Sequence, residues 1–114
     1  MRLRRARVGS DSGIRPSDLV LSVLAVRVGE HLLERRLRAV TAESCTGGYV
    51  AKLLTDVPGS SQWFDCGYVC YSNAAKQRDL GVSPVTLRQH GAVSGETVGE
   101  LARGALERSG ADVA

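Results

Sequence analysis

Cysteine occurs three times, an odd number that argues against a disulfide framework and fits a reducing cytoplasm. Cys66 and Cys70 fall on a segment with strand character, about 13 Å apart along an extended chain. A disulfide needs Cα atoms within roughly 7 Å. Histidine is limited to His31 and His90, neither at zinc-ligand spacing from a cysteine. Three free thiols, buried as packing residues, are therefore expected, with no metal and no cofactor. Aromatic residues are only 4% of the chain, with Trp63 and Phe64 adjacent, while the hydrophobic content of 43% is ordinary for a globular domain. The longest apolar stretch, Leu19 to Val26, is too short to cross a bilayer. No uninterrupted apolar region or small-residue cleavage site follows the basic Met1–Arg7 segment, so no signal peptide is read. The net charge of +3 comes largely from the first fifteen residues and does not demand a nucleic-acid partner. Neither G-x-x-x-x-G-K-[ST] nor G-x-S-x-G is present. Nothing repeats internally, and 114 residues suffice for one domain.

What is present centres on Ala39-Val40-Thr41-Ala42-Glu43-Ser44-Cys45-Thr46-Gly47-Gly48, a short apolar strand running into a small-residue turn and then a helix. Thr46 has the hydroxyl of an N-cap, and Gly47 and Gly48 leave the opening turn bare. Free N–H groups at the positive end of a helix suit an anion, either a phosphate or the oxyanion of acyl transfer. Ser44 and Cys45 lie at the mouth of that corner. The same pattern also fits a plain strand-to-helix connection with Ser44 as a turn residue.

In chain order, residues 1–16 read as a basic, flexible extension, and residues 17–114 as the domain. A nucleic-acid arm is the weaker reading of the extension, because unpacked termini are usually loose. An amphipathic helix is expected from Ser17 to about Arg36, with Leu19, Val20, Val23, Val26, Leu32, Leu33 and Leu37 as an imperfect apolar stripe. Leu37–Ala42 is the first strand, and Thr46 to about Thr55 the second helix. A Pro58–Ser61 loop follows, then a strand from Trp63 to Tyr71 in which Gly67 suggests a bulge or a close backbone approach. Ser72-Asn73 and Ser83-Pro84 open two short helices, and His90-Gly91 closes the second. Ser94 opens a longer helix to about Ser109, weakened at Gly99 and Gly104 by about 1 kcal/mol each relative to Ala. Asp112-Val113-Ala114 begins a further strand. Alternating strands and helices predict a three-layer α/β/α fold with a mostly parallel sheet.

Ligands in such folds bind beyond the carboxyl ends of the strands. Ser44 follows the first strand, and Tyr71 to Lys76 follow the second, so adjacent parallel strands would set the two segments side by side. A serine nucleophile needs a base, and no Ser-His-Asp set is available. Lys76 could serve if burial or a positive field deprotonates its ammonium, with Tyr71 orienting it or relaying a proton. A solvated helix lysine, an aromatic covering the core and a small buried thiol at Cys45 are the plainer readings of the same residues.

Thr41-Ala42-Glu43-Ser44-Cys45-Thr46-Gly47-Gly48, Pro58-Gly59-Ser60-Ser61, Gly67-Tyr68-Val69-Cys70-Tyr71-Ser72-Asn73-Ala74-Ala75-Lys76, Leu80-Gly81-Val82 and His90-Gly91-Ala92-Val93-Ser94 occur in order. Together these blocks resemble the C-terminal domain of the competence/damage-inducible protein CinA, a family that also occurs alone as nicotinamide-nucleotide amidohydrolase. The resemblance runs from about Val20 to Ala114. It implies hydrolysis of the carboxamide of nicotinamide mononucleotide (NMN) to nicotinate mononucleotide and ammonia, without a metal. By position it implies Ser44 as nucleophile, Lys76 as general base and Tyr71 as a catalytic partner. Cys45, Thr46, Gly47, Gly48 and Asn73 would form the substrate-binding surround. Domains of the family continue with further strands, a Thr-Gly-rich turn and a substrate-contacting arginine, so the resemblance also implies that C-terminal strands and part of the pocket are missing from this chain. The alternative is a non-catalytic nucleotide- or phosphate-binding module. Exposed sheet edges and helix faces would favour a homo-oligomer.

Overall fold

The computed structural model describes residues 15–114. The expected basic extension lies outside the described residues except for Arg15 and Pro16, and Pro16 already opens the first helix. Two parallel strands carry the fold: β1 (Ala39–Glu43) and β2 (Phe64–Val69) pair from Ala39–Phe64 to Glu43–Val69. The Ala39 N–H donates to the Trp63 carbonyl at 2.8 Å, and the Val40 N–H donates to the Val113 carbonyl at 2.9 Å. Since neighbouring N–H groups of a strand point to opposite edges, β1 is flanked on both sides. The expected strand at Asp112–Ala114 is realised as a parallel bridge between Val113 and Ala39.

Around the strands run α1 (Pro16–Arg35), α2 (Tyr49–Thr55), α3 (Asn73–Leu80), α4 (Pro84–His90) and α5 (Gly95–Arg108). The two faces of the sheet hold separate apolar clusters, in keeping with the expected three layers. Leu32, Ala39 and Trp63 form one, with Leu37, Leu54, Val57, Phe64 and Val113 packed on it. On the other face Val40 packs with Cys70, Leu80, Val82, Leu101 and Ala105, and Cys66 and Tyr68 join them. Residues of equal parity in β2 thus serve opposite faces. The register explains this, because Ala39 pairs with Phe64 and Val40 with Cys66, leaving Asp65 as an extra residue. Its carboxylate accepts from the Gly110 N–H at 3.2 Å and lies 3.6 Å from the Arg38 guanidinium.

Strand ends differ from expectation. β1 begins two residues later and includes Glu43, and β2 is shorter at both ends. The irregularity falls at Asp65 rather than Gly67. Gly67 is instead a close approach, since a Cβ there would lie 2.7 Å from the Thr41 hydroxyl and 3.2 Å from the Ala51 Cβ.

The first helix matches its expected span within a residue, but the stripe assigned to it is mostly not core. Leu19, Val20, Val23, Val26 and Leu33 are 41–59% exposed, and the buried positions are Ala25, Gly29 and Leu32. Trp63 is the cause: a Cβ on Gly29 would fall 2.6 Å from its ring and Leu32 packs in the same cluster, so the helix turns this side inward and the other aliphatics outward. Helices α3, α4 and α5 begin where the sequence places them. The Ser72, Ser83 and Ser94 hydroxyls accept from the N–H groups of Ala75, Val85 and Thr97. Among the described residues no helix is long and apolar enough to cross a membrane.

Candidate active site

Ser44 is the first residue beyond β1, and the loop leaving β2 begins at Cys70. The Cys70 N–H donates to the Glu43 carbonyl at 2.9 Å, carrying the ladder one step past the last strand pair. The two loops therefore leave neighbouring strands at the same end of the sheet, as parallel pairing requires. The Ser44 carbonyl accepts from the Gly47 N–H at 3.0 Å. Gly47 (φ 63°) and Gly48 (φ 102°) adopt left-handed backbone that a β-carbon would strain. Two such residues in succession turn the chain sharply enough for α2 to start at Tyr49.

Thr46 does not cap that helix. Its hydroxyl donates to Glu43 Oε1 at 2.8 Å, and the same carboxylate accepts from the N–H groups of Val50 at 2.7 Å and Ala51 at 3.0 Å. Glu43, only 6% exposed, thus occupies the helix N-terminus from the end of β1. The corner expected to receive an external anion is filled by the chain's own carboxylate. Among the described residues, the N–H groups of Cys45, Thr46 and Gly48 donate to no backbone or side-chain acceptor. These three remain as donors at the turn.

Ala42, Glu43, Ser44, Cys45, Thr46 and Val50 line one side of a cleft of about 270 Å³, and Ala92, Val93, Val98 and Leu101 line the other. The second wall is set by the Gly91 carbonyl, which accepts the Ser94 hydroxyl at 2.9 Å and the buried Thr97 hydroxyl at 2.8 Å. That double bond to one carbonyl pins the turn carrying Ala92 and Val93 onto the start of α5. Among the described residues no lysine or arginine lines the cleft.

Lys76 is buried, with 2% of its surface exposed, so the solvated-lysine reading fails. Its ammonium donates to the Tyr71 carbonyl at 2.6 Å. The contact with Tyr71 is thus through the backbone, and the Tyr71 side chain is 73% exposed, neither covering the core nor orienting the amine. Asn73, the first residue of α3, is exposed. Tyr71, Asn73 and Lys76 lie outside the cleft lining, and no hydrogen bond joins Ser44 to Lys76 among the described residues. The structure brings together Ser44, Cys45 and Thr46, exposes Gly47 beside them, and starts the segment that leads to α3 and Lys76 at the adjacent strand end.

The cysteines are free, but Cys45 is exposed rather than packed, because the turn that carries it lies at the rim. Burial, and then the Asp65 carboxylate, push the Cys66 thiol up from its ordinary value. Burial, and then Asp79, do the same to Cys70. Among the described residues no three His, Cys, Asp or Glu side chains gather in one place.

Sequence reasoning missed Glu43 and the Ala92–Leu101 wall. A carboxylate between an apolar strand and a Thr-Gly-Gly turn was the available signal for the first. For the second it was the Ser94 cap directly after Ala92-Val93.

Residues 21–114 match the family described as the CinA C-terminal domain. The chain is 53% identical over 98 residues to the nicotinamide-nucleotide amidohydrolase PncC of Enterobacter agglomerans, covering 86% of this chain and 60% of the relative. It is 52% identical over 98 residues to the PncC of Escherichia coli K12, covering 86% and 59%. The crystal structure of a competence-damaged protein (CinA) superfamily protein from Escherichia coli superposes with a TM-score of 0.81 at 34% identity, over 88% of this chain and 58% of that one. A competence/damage-inducible protein from Agrobacterium tumefaciens gives 0.79 at 44% identity, over 87% and 59%. The chain spans about 60% of the length of the curated relatives it matches.

Proposed function

The chain belongs to the CinA C-terminal domain family, and on that premise we propose that it is an amidohydrolase acting on the carboxamide of NMN. The observation that carries this reading is Ser44, set in a cleft at the end of β1, with the segment leading from β2 into α3 and its buried Lys76 leaving the adjacent strand at the same end of the sheet. The Ser44 hydroxyl attacks the amide carbon, and Lys76, acting as the neutral amine, takes its proton after exchanging the Tyr71 carbonyl for the serine. The N–H groups of Cys45, Thr46 and Gly48 supply donors for the oxyanion. Collapse of the tetrahedral adduct breaks the C–N bond, and Lys76 returns the proton to the departing ammonia. Water then attacks the acyl ester, with Lys76 again accepting the proton, and releases nicotinate mononucleotide. Tyr71 and Asn73, exposed between β2 and the first turn of α3, meet the parts of the nucleotide that the cleft does not enclose. A cleft of about 270 Å³ with mostly aliphatic walls suits the carboxamide-bearing ring rather than the whole nucleotide.

Ammonia release from NMN, measured beside Ser44→Ala with folding checked by circular dichroism, tests the reading. Loss of turnover in a folded variant supports it, and turnover equal to that of the parent sinks it. A second reading is a nucleotide-binding module without turnover, favoured by one feature: the Lys76 amine is bonded to the Tyr71 carbonyl rather than to Ser44. Calorimetry separates the two, because heat of NMN binding without ammonia release selects the binding module. The exposed aliphatic face of α1 supports self-association as a dimer or larger, and a monodisperse monomer in sedimentation would refute it.

A further inference from the structure

The Glu43 carboxylate is the best-connected buried acid among the described residues, and the acyl-transfer scheme above makes no use of it. It sits one residue before Ser44 and gathers the Thr46 hydroxyl and the Val50 and Ala51 N–H groups within 3.0 Å. The donors come from both limbs of the turn that follows Ser44. One carboxylate therefore fixes the strand end, the turn and the helix start as a unit. We propose that Glu43 is the positioning residue of this site: its carboxylate holds the Ser44–Gly48 turn in the geometry that aims the Ser44 hydroxyl and the free N–H groups into the cleft, and it takes the place at the α2 N-terminus that an anionic ligand group would otherwise seek.

The inference rests on Ser44 acting as the nucleophile. It deepens that reading in one respect: the phosphate of a nucleotide substrate is directed away from the α2 terminus. A negative group next to Glu43 would meet like charge, and among the described residues no lysine or arginine lines the cleft to offset it. The neutral carboxamide end is what this corner receives.

Replacing Glu43 with Gln keeps the shape but puts an NH2 group where an acceptor is required, so at least one of the three donors loses its partner. Glu43→Gln should lower kcat by about ten- to a hundredfold with little change in KM, because a misaimed nucleophile loses transition-state contacts rather than ground-state binding. Thr46 is exposed, so Thr46→Val removes one donor with little risk to folding. It should lower kcat by a smaller factor, and Thr46→Ser should restore it. A purely structural role would move thermal stability in Glu43→Gln and Thr46→Val and leave the kcat of folded protein unchanged. The rate at which a fluorophosphonate probe labels Ser44, followed by mass spectrometry, reports nucleophile geometry independently of turnover and should fall in the same order. Parent turnover and labelling retained in both folded Glu43→Gln and Thr46→Val overturn the positioning role alone. A parent chain that neither turns over nor labels at Ser44 overturns the nucleophile reading and this inference with it.

Discussion

Two glycines in α5 have opposite consequences if replaced by alanine, although helix propensity treats them alike. At Gly99 a Cβ would meet nothing within 4 Å, so Gly99→Ala should stabilise by up to about 1 kcal/mol. At Gly104 a Cβ would lie 2.0 Å from the Leu80 carbonyl oxygen and 2.9 Å from its carbon. Both atoms are backbone at the end of α3, so no rotamer change relieves the overlap, and α3 and α5 must separate by about 1 Å. Overpacking of a core contact typically costs about 1–3 kcal/mol, and a clash with rigid backbone belongs at the upper end. Subtracting the propensity gain of about 1 kcal/mol leaves a net loss of about 2 kcal/mol. For a domain of this size that lowers the melting temperature by about 10 °C. Thermal melts of the parent, Gly99→Ala and Gly104→Ala, followed by circular dichroism at 222 nm, give the comparison directly. A Gly104→Ala protein at least as stable as the parent would refute the close packing of α5 on the end of α3, and with it the placement of the Lys76 helix.

Lys76→Met keeps an apolar stem of similar length in the core but leaves the Tyr71 carbonyl without its partner. Turnover should fall by about 100-fold or more while stability drops by only about 1–3 kcal/mol, and undiminished ammonia release would remove Lys76 as the base. Limiting N-ethylmaleimide should modify the exposed Cys45 first, since burial raises the thiols of Cys66 and Cys70; peptide mapping that finds Cys70 labelled first would contradict the burial described. The Thr86 hydroxyl, the Ser83 N–H and more weakly Arg103 and His90 hold the Glu100 carboxyl below its ordinary value. That contribution is present above the unfolded value of about 4.3 and is lost as the pH falls below it. Glu100→Gln should therefore be less stable than the parent at neutral pH and should lose less on acidification, as urea midpoints at the two pH values would show. Parallel losses in both proteins would mean that Glu100 is not coupled to folding.

Helix starts were legible because each signal is local. Ser72, Ser83 and Ser94 need only their own next few residues to cap, and all three do so. The parallel pairing of the strands, with the exits of β1 and β2 at one end of the sheet, also followed from alternation of elements alone. The start of α2 was misread because its cap comes from Glu43, seven residues before Val50, and a carboxylate reaching across a turn leaves no periodic trace. The outward stripe of α1 was misread for a different reason. Which side of a helix is core depends on what packs there, and Trp63 selects the side with Ala25 and Gly29. The exposure of Cys45 likewise follows from the curvature of the Gly47–Gly48 turn rather than from the polarity of the thiol.

The unpaired Asp65 has an effect at a distance. Every residue of β2 after it is counted from that insertion, and side chains alternate faces with a period of two. Flattening the bulge with Asp65 kept in the ladder would put the downstream half of the strand out of phase, sending Cys66 and Tyr68 to the face of α2 and Gly67 away from Ala51, whereas removing Asp65 itself would leave the pairing in phase. In the flattened strand, the segment running through Tyr71 into α3 would leave the sheet half a pleat out of step with Ser44. Asp65 thus acts as a frame marker: a one-residue insertion or deletion between Cys66 and Val69 is felt at the site, whereas removal of the extra residue itself keeps the frame.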